Sequence, residues 1–228
     1  MSDSAIQKIR LAEIEFVDNP ENRCPVVLLL DTSASMKGAP IVELNNGINR
    51  FRSSLLEDEL ASLRVEIALV TFGGDVSVVQ DFTTADSFDP PELQPRGYTP
   101  MGEAIEKGMD ILESRKQLYK SSGILYYRPW ILLITDGEPT DTWESAARRI
   151  QTAENDSKLL FFAIGVKDAN MKILKKIALP TRPPMKLTEL KFEELFLWLS
   201  ASLQQVSSGK IGDFKALPPA SGWGEVPT

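Results

Sequence analysis

Val26-Val27-Leu28-Leu29-Leu30-Asp31-Thr32-Ser33-Ala34-Ser35 is an unbroken apolar run that stops at a carboxylate and then offers hydroxyls. Five consecutive aliphatic residues with no polar alternation mark a strand buried on both faces, as at the centre of a parallel sheet. The loop Met36-Lys37-Gly38-Ala39-Pro40 follows, and a helix after it. Asp31, Ser33 and Ser35 stand at alternate positions, a spacing that turns three hard oxygen atoms toward one point. Such donors suit Mg²⁺, Ca²⁺ or Mn²⁺ rather than zinc or copper. Two later stretches are placed to complete a site. One is Gly97-Tyr98-Thr99-Pro100-Met101-Gly102. The other, Thr135-Asp136-Gly137-Glu138-Pro139-Thr140-Asp141, also follows a buried run, Trp130-Ile131-Leu132-Leu133-Ile134.

Outward from these stretches, strand and helix signals alternate. Strands are expected over 24–31, 64–72, 76–82, 129–136, 158–166 and 185–187, with Gly73-Gly74-Asp75 as a hairpin turn that makes 76–82 an antiparallel edge. Ile41, Leu44, Ile48, Phe51 and Leu55 recur at helical spacing and give a helix from Pro40 to Leu56 one apolar face. Pro100 fits the first turn of a second helix reaching Leu118, with Ala104, Ile105, Met109, Ile111 and Leu112 on its buried side. Further helices are expected over 143–155, capped by Asp141 or Thr142, over 168–178, and over 192–206. The pattern predicts an α/β fold: a doubly wound, mostly parallel sheet with one antiparallel edge strand and helices on both faces. Ligands of such folds sit at the carboxyl ends of the strands, where Asp31 and Asp136 both fall. Three regions are expected: an extension over 1–21, the domain over 22–206, and a Gly/Pro-rich tail over 207–228 that orders where Phe214, Leu217 or Trp223 docks. In the extension, Ile9, Leu11, Ile14 and Phe16 suit a short strand or helical turn.

Composition narrows the chemistry. The 228 residues suffice for one domain with a sizeable core. A net charge of −7 argues against nucleic acid or an anionic membrane as the main partner. With no histidine there is no Ser-His-Asp triad and no His-ligated zinc. The single cysteine, Cys24, reads as a small core residue, and with no intrachain disulfide the expected setting is cytoplasmic. The polar N-terminus has neither a signal peptide pattern nor a membrane-spanning run.

Together, Asp31-x-Ser33-x-Ser35, Thr99 and Asp136 resemble the metal-ion-dependent adhesion site (MIDAS) of von Willebrand factor type A (VWA) domains, a likeness that covers 22–206. The resemblance implies that Ser33, Ser35 and Thr99 offer hydroxyls directly to the ion, while Asp31 and Asp136 balance its charge and act through bridging waters. It also implies an open position that takes an Asp or Glu carboxylate from a partner protein, with Mg²⁺ the expected ion and Ca²⁺ or Mn²⁺ alternatives. The strings VVLLLDTSASMKGAPIVELNNGI (26–48) and RPWILLITDGEPTD (128–141) are similar to the bacterial VWA proteins associated with tellurium resistance (TerY-like). That likeness implies a stress or resistance system, and a kinase and phosphatase as associates.

Blander readings stand beside these. Asp31 with Ser33 suits an Asx-turn, and Thr99 an N-cap. Glu138 and Asp141 read as solvated or capping groups. Lys37 and Arg96 border the site, and Trp143 and Tyr98 read as packing residues. A tail acid, Asp213 or Glu225, is a candidate occupant from a neighbouring molecule. The enzymatic alternative is a Mg²⁺-dependent hydrolase or phosphatase using Asp31 or Asp136. A DxDxT-type motif also follows a first buried strand, but its second Asp is Ser33 here. No Walker-type phosphate loop is present either.

Overall fold

The computed structural model describes residues 16–213, 216–220 and 222–226. Its centre is β1 (Cys24–Asp31), buried at every position as its apolar run requires. The sheet is completed by β2 (Val65–Gly73), β3 (Asp75–Thr84), β4 (Trp130–Thr135), β5 (Leu160–Gly165), β6 (Met185–Leu187) and β7 (Gly224–Glu225), in spatial order β3-β2-β1-β4-β5-β6-β7. Strands β1, β2, β4, β5 and β6 run parallel, and the hairpin strand β3 lies antiparallel on β2. The expected α/β sheet is therefore present, with one addition. Strand β7 pairs antiparallel with β6 and makes a second antiparallel edge. Trp223 holds it there, its ring centroid 5.2 Å from that of Trp198 and only 3% of its surface exposed. Leu217 packs against the same cluster, while Phe214 lies outside the described residues.

Helices cover both faces. Helix α1 (Ala39–Leu56) buries Ile41, Leu44, Ile48, Phe51 and Leu55, and α6 (Phe192–Ser207) packs beside it through Phe192 and Phe196. The opposite face carries α3 (Met101–Ser121), α4 (Glu144–Asn155) and α5 (Met171–Ile177). The short helix α2 (Glu59–Arg64) has no periodic signal, and it is set by Asp58, whose carboxylate accepts the Ala61 N–H at 2.8 Å. Helix α3 runs on to Ser121, beyond the end that its apolar spacing predicts.

Of the N-terminal extension, Ile9, Leu11 and Ile14 lie outside the described residues. Phe16 is buried between the Tyr119 ring and the guanidinium of Arg115. Beneath it Glu66, fully buried, accepts hydrogen bonds from Arg23, Arg115 and Tyr119. That network satisfies a charge which would otherwise be very costly to bury.

Candidate metal centre

The chain reverses its winding between β1 and β4. Helix α1 carries it from β1 to β2 on one side, and α3 returns it to β4 on the other. A crevice opens at the carboxyl ends of the two strands. Their register places Leu30 beside Ile134, so Asp31 and Thr135 come level and Asp136 leaves the sheet immediately beyond.

All five residues singled out in the sequence come together here. The Ser33 and Ser35 hydroxyls lie 2.9 Å apart, and the Ser35 hydroxyl donates to Asp136 Oδ1 at 2.6 Å. Asp31 Oδ1 accepts the Ser33 N–H at 2.8 Å, so the Asx-turn reading and the site reading describe one geometry. Thr99 presents its hydroxyl next to Gly137. A Cβ at Gly137 would lie 3.3 Å from that hydroxyl and 3.8 Å from Asp31 Oδ2. Asp31, Ser33, Thr99 and Asp136 are buried and Ser35 is exposed, so the cluster opens to solvent on the Ser35 side.

Backbone bonds tie the three segments to one another. Ala34 N–H donates to Gly97 O, Arg96 N–H to Thr32 O, and Gly74 N–H to Tyr98 O. Gly97 sits at φ +60°, and a Cβ there would lie 2.4 Å from Gly74 Cα, so only glycine fits this crossing. Thr140 N–H donates to Thr99 O at 2.9 Å, and the Thr140 hydroxyl accepts the Thr99 N–H at 3.2 Å.

Several rim expectations are corrected. Asp141 does not cap α4. Its carboxylate accepts the Gly102 and Glu103 N–H groups at 3.0 and 2.8 Å and so caps α3, because the 136–141 loop lies across the start of that helix. Thr99 is not a side-chain cap either, since Pro100 occupies that position. Tyr98 is 76% exposed rather than packed, and Trp143 is partly buried. Arg96 pairs with Asp75, and the Glu138 carboxylate accepts from Asn170. Thr135 is the residue that sequence reasoning missed. Its hydroxyl donates to Asp31 Oδ2 at 2.6 Å and accepts the Gly137 N–H. Its position as the last residue of β4, level with Asp31, is a signal visible only once the register is known.

Burial pushes the Asp31 carboxyl above its ordinary range, hydrogen bonds from Ser33 and Thr135 pull it back, and the nearby Asp136 charge raises it again. Among the described residues neither aspartate forms an ion pair. Two carboxylates and three hydroxyls with no positive side chain make a donor set that fits a hard divalent cation. No group of three His, Cys, Asp or Glu side chains is placed to hold a metal among the described residues, so any such ion must draw on hydroxyls.

The chain belongs to the von Willebrand factor type A (VWA) domain family, whose model matches residues 26–196. The fold is shared with the pilus adhesin SpaC of Lactobacillus rhamnosus GG, at a TM-score of 0.64 and 15% identity over 81% of this chain and 30% of that one. It is shared with proximal thread matrix protein 1 of the mussel byssus, in a structure described as having a zinc-occupied MIDAS motif, at 0.56 and 15% over 80% and 48%. A third structure, manganese-loaded TRAP protein of Plasmodium vivax, matches at 0.53 and 18% over 77% and 74%. The chain thus spans less than half of the SpaC and thread matrix proteins. No curated protein matches it by sequence. Among the described residues no helix is long and apolar enough to cross a membrane.

Proposed function

We propose that this chain is a metal-dependent protein-binding module and not an enzyme. Ser33, Ser35 and Thr99 bind Mg²⁺ through their hydroxyls, and Asp31 and Asp136 act on it through water. The solvent side then takes an Asp or Glu carboxylate from a partner protein. The observation that carries this reading is the convergence of Asp31 and Asp136 on three hydroxyls with no cationic side chain. A shell rich in neutral hydroxyls leaves the ion electrophilic, so an incoming carboxylate gains more from it. The metal-loaded states named for the thread matrix protein and TRAP lend support by analogy of fold. The hydrolase alternative is disfavoured by Asp31 itself, which is fully buried with both oxygens already accepting hydrogen bonds. We place the module in the cytoplasm, in a bacterial stress or tellurium-resistance-type system with a kinase and phosphatase as associates. Similarity of the 26–48 and 128–141 strings supports that setting.

Calorimetric titration with Mg²⁺, paired with capture of partners from bacterial lysate, tests this reading. Wild type is expected to bind Mg²⁺ saturably and to retain a partner that EDTA releases, while Asp31→Ala does neither. Metal binding undiminished in Asp31→Ala, or capture indifferent to EDTA, would overturn it.

A further inference from the structure

A second site lies at the opposite pole of the sheet. A cavity of about 1320 Å³ opens beneath the amino ends of β4 and β5, between the last turns of α3 and α4. Strand β4 separates it from the Asp31–Asp136 cluster by roughly 20 Å. Although the whole chain carries a charge of −7, the cavity wall is basic. Seven cations line it, Lys116, Lys120, Arg128, Arg148, Arg149, Lys158 and Arg182, against the acids Glu113 and Asp213.

Four of these cations are compensated locally: Lys116 by Glu113, Arg149 by Glu106 and Asp110, Lys158 by Asp156 and Arg182 by Glu154. Lys120, Arg128 and Arg148 form no ion pair among the described residues. Arg128 is the most telling. One terminal nitrogen donates to the Glu154 backbone carbonyl at 2.8 Å, while its Nε–H is buried without any hydrogen-bond partner among the described residues. Arg182 holds Glu154 Oε1 at 2.7 Å, while Glu154 Oε2, like the Arg128 Nε–H, is buried with no hydrogen-bond partner among the described residues. Burial pushes the Arg128 pKa down, Glu154 pulls it up and the Arg182 charge pushes it down again. Forked guanidiniums beside lysines suit a phosphate, which the fork takes bidentately and the lysine as a point charge. Apolar residues, Leu112, Tyr126 and Leu160 among them, line much of the rest, together with Thr152 and Ser157.

We propose that this cavity binds a small phosphate ester, its phosphate held by Arg128, Arg148 and Lys120 and a flat apolar body lying along Tyr126, Leu112 and Leu160. The site is independent of the metal centre and takes its ligand without a divalent ion.

The test is a calorimetric titration of the full chain in EDTA with AMP as the probe. Adenosine and inorganic phosphate, at matched ionic strength, serve as controls. Saturable AMP binding is expected. Phosphate alone binds more weakly and adenosine not at all. Arg128→Gln is expected to weaken AMP by at least about tenfold, the worth of a charge-assisted hydrogen bond. Should Arg128→Gln fold poorly by circular dichroism, the double variant Lys120→Gln/Arg148→Gln, at exposed positions, reads the same loss. Asp31→Ala leaves AMP affinity unchanged. Absence of saturable AMP binding, or affinity unaltered in the double variant, overturns the site. Equal binding of phosphate and AMP overturns the apolar half of the proposal.

Discussion

Asp31 shows what one residue can disclose and what it conceals. Its place after five aliphatic residues marks it in the sequence as the end of a buried strand, and the alternate serines mark the chemistry. That Thr135 fills its second oxygen is hidden there, because this contact depends on the register of β1 against β4. Tyr98 fails in the opposite direction. Aromatic character suggests packing, yet the Gly97 crossing turns the side chain out to solvent. Cys24 fits its sequence reading as a core residue: it is buried, and burial followed by the Glu66 charge pushes its thiol up to about 12. Since the reactive species is the thiolate, native Cys24 stays inert even at pH 9, where an unfolded cysteine is about three-quarters ionised. Alkylation by iodoacetamide, followed by mass, should therefore be slow in buffer at pH 9 and complete within minutes in urea. Rapid labelling of the native chain would show that the amino end of β1 is open to solvent.

At the scale of elements, periodic segments are readable and loops are not. Helix α1 follows from five apolar positions at helical spacing. Helix α2 has six residues, too few for any period to show. Capping distances in sequence offer Asp141 or Thr142 as the cap of α4, which has no side-chain cap. In the folded chain the 136–141 loop crosses the start of α3, where the Asp141 carboxylate meets two free N–H groups. Removing that cap should cost about 1 kcal/mol and lower the urea midpoint accordingly. Because Thr99 lies two residues before α3, Asp141→Ala is also expected to weaken divalent-ion binding, although among the described residues Asp141 makes no hydrogen bond to the five clustered side chains. A variant that loses stability but keeps full metal affinity would show that Thr99 keeps its place without this cap.

For the molecule as a whole, alternating strands and helices are enough to anticipate a parallel sheet with its ligand crevice beside β1. The far edge is not legible in full. A stretch rich in Gly, Pro and Ser has no strand period, and β7 forms because Trp223 inserts against Trp198 while Thr188 N–H donates to the Trp223 carbonyl at 2.8 Å. Trp223→Ala is expected to destabilise the fold by about 3–5 kcal/mol, as a cavity in the main core does. It should also release the amides of β6 to hydrogen exchange. Unchanged protection in Met185–Leu187 would mean that β6 holds its place without β7. The two poles differ in sign, with aspartates at one and arginines at the other, so an acidic chain still carries a basic recess that its net charge does not reveal.

The bond from Ser35 to Asp136 joins positions 101 residues apart. Bringing such distant groups together costs an unfolded chain about 4 kcal/mol in loop closure alone. A denatured molecule therefore has no comparable cluster, and whatever cation the crevice takes is bound by the native form only. By mass action, a free ion at a hundredfold excess over its dissociation constant would add about 2.7 kcal/mol to the unfolding free energy. If the proposed ion binds there, its concentration would set the melting temperature, and a chelator would act as a mild denaturant.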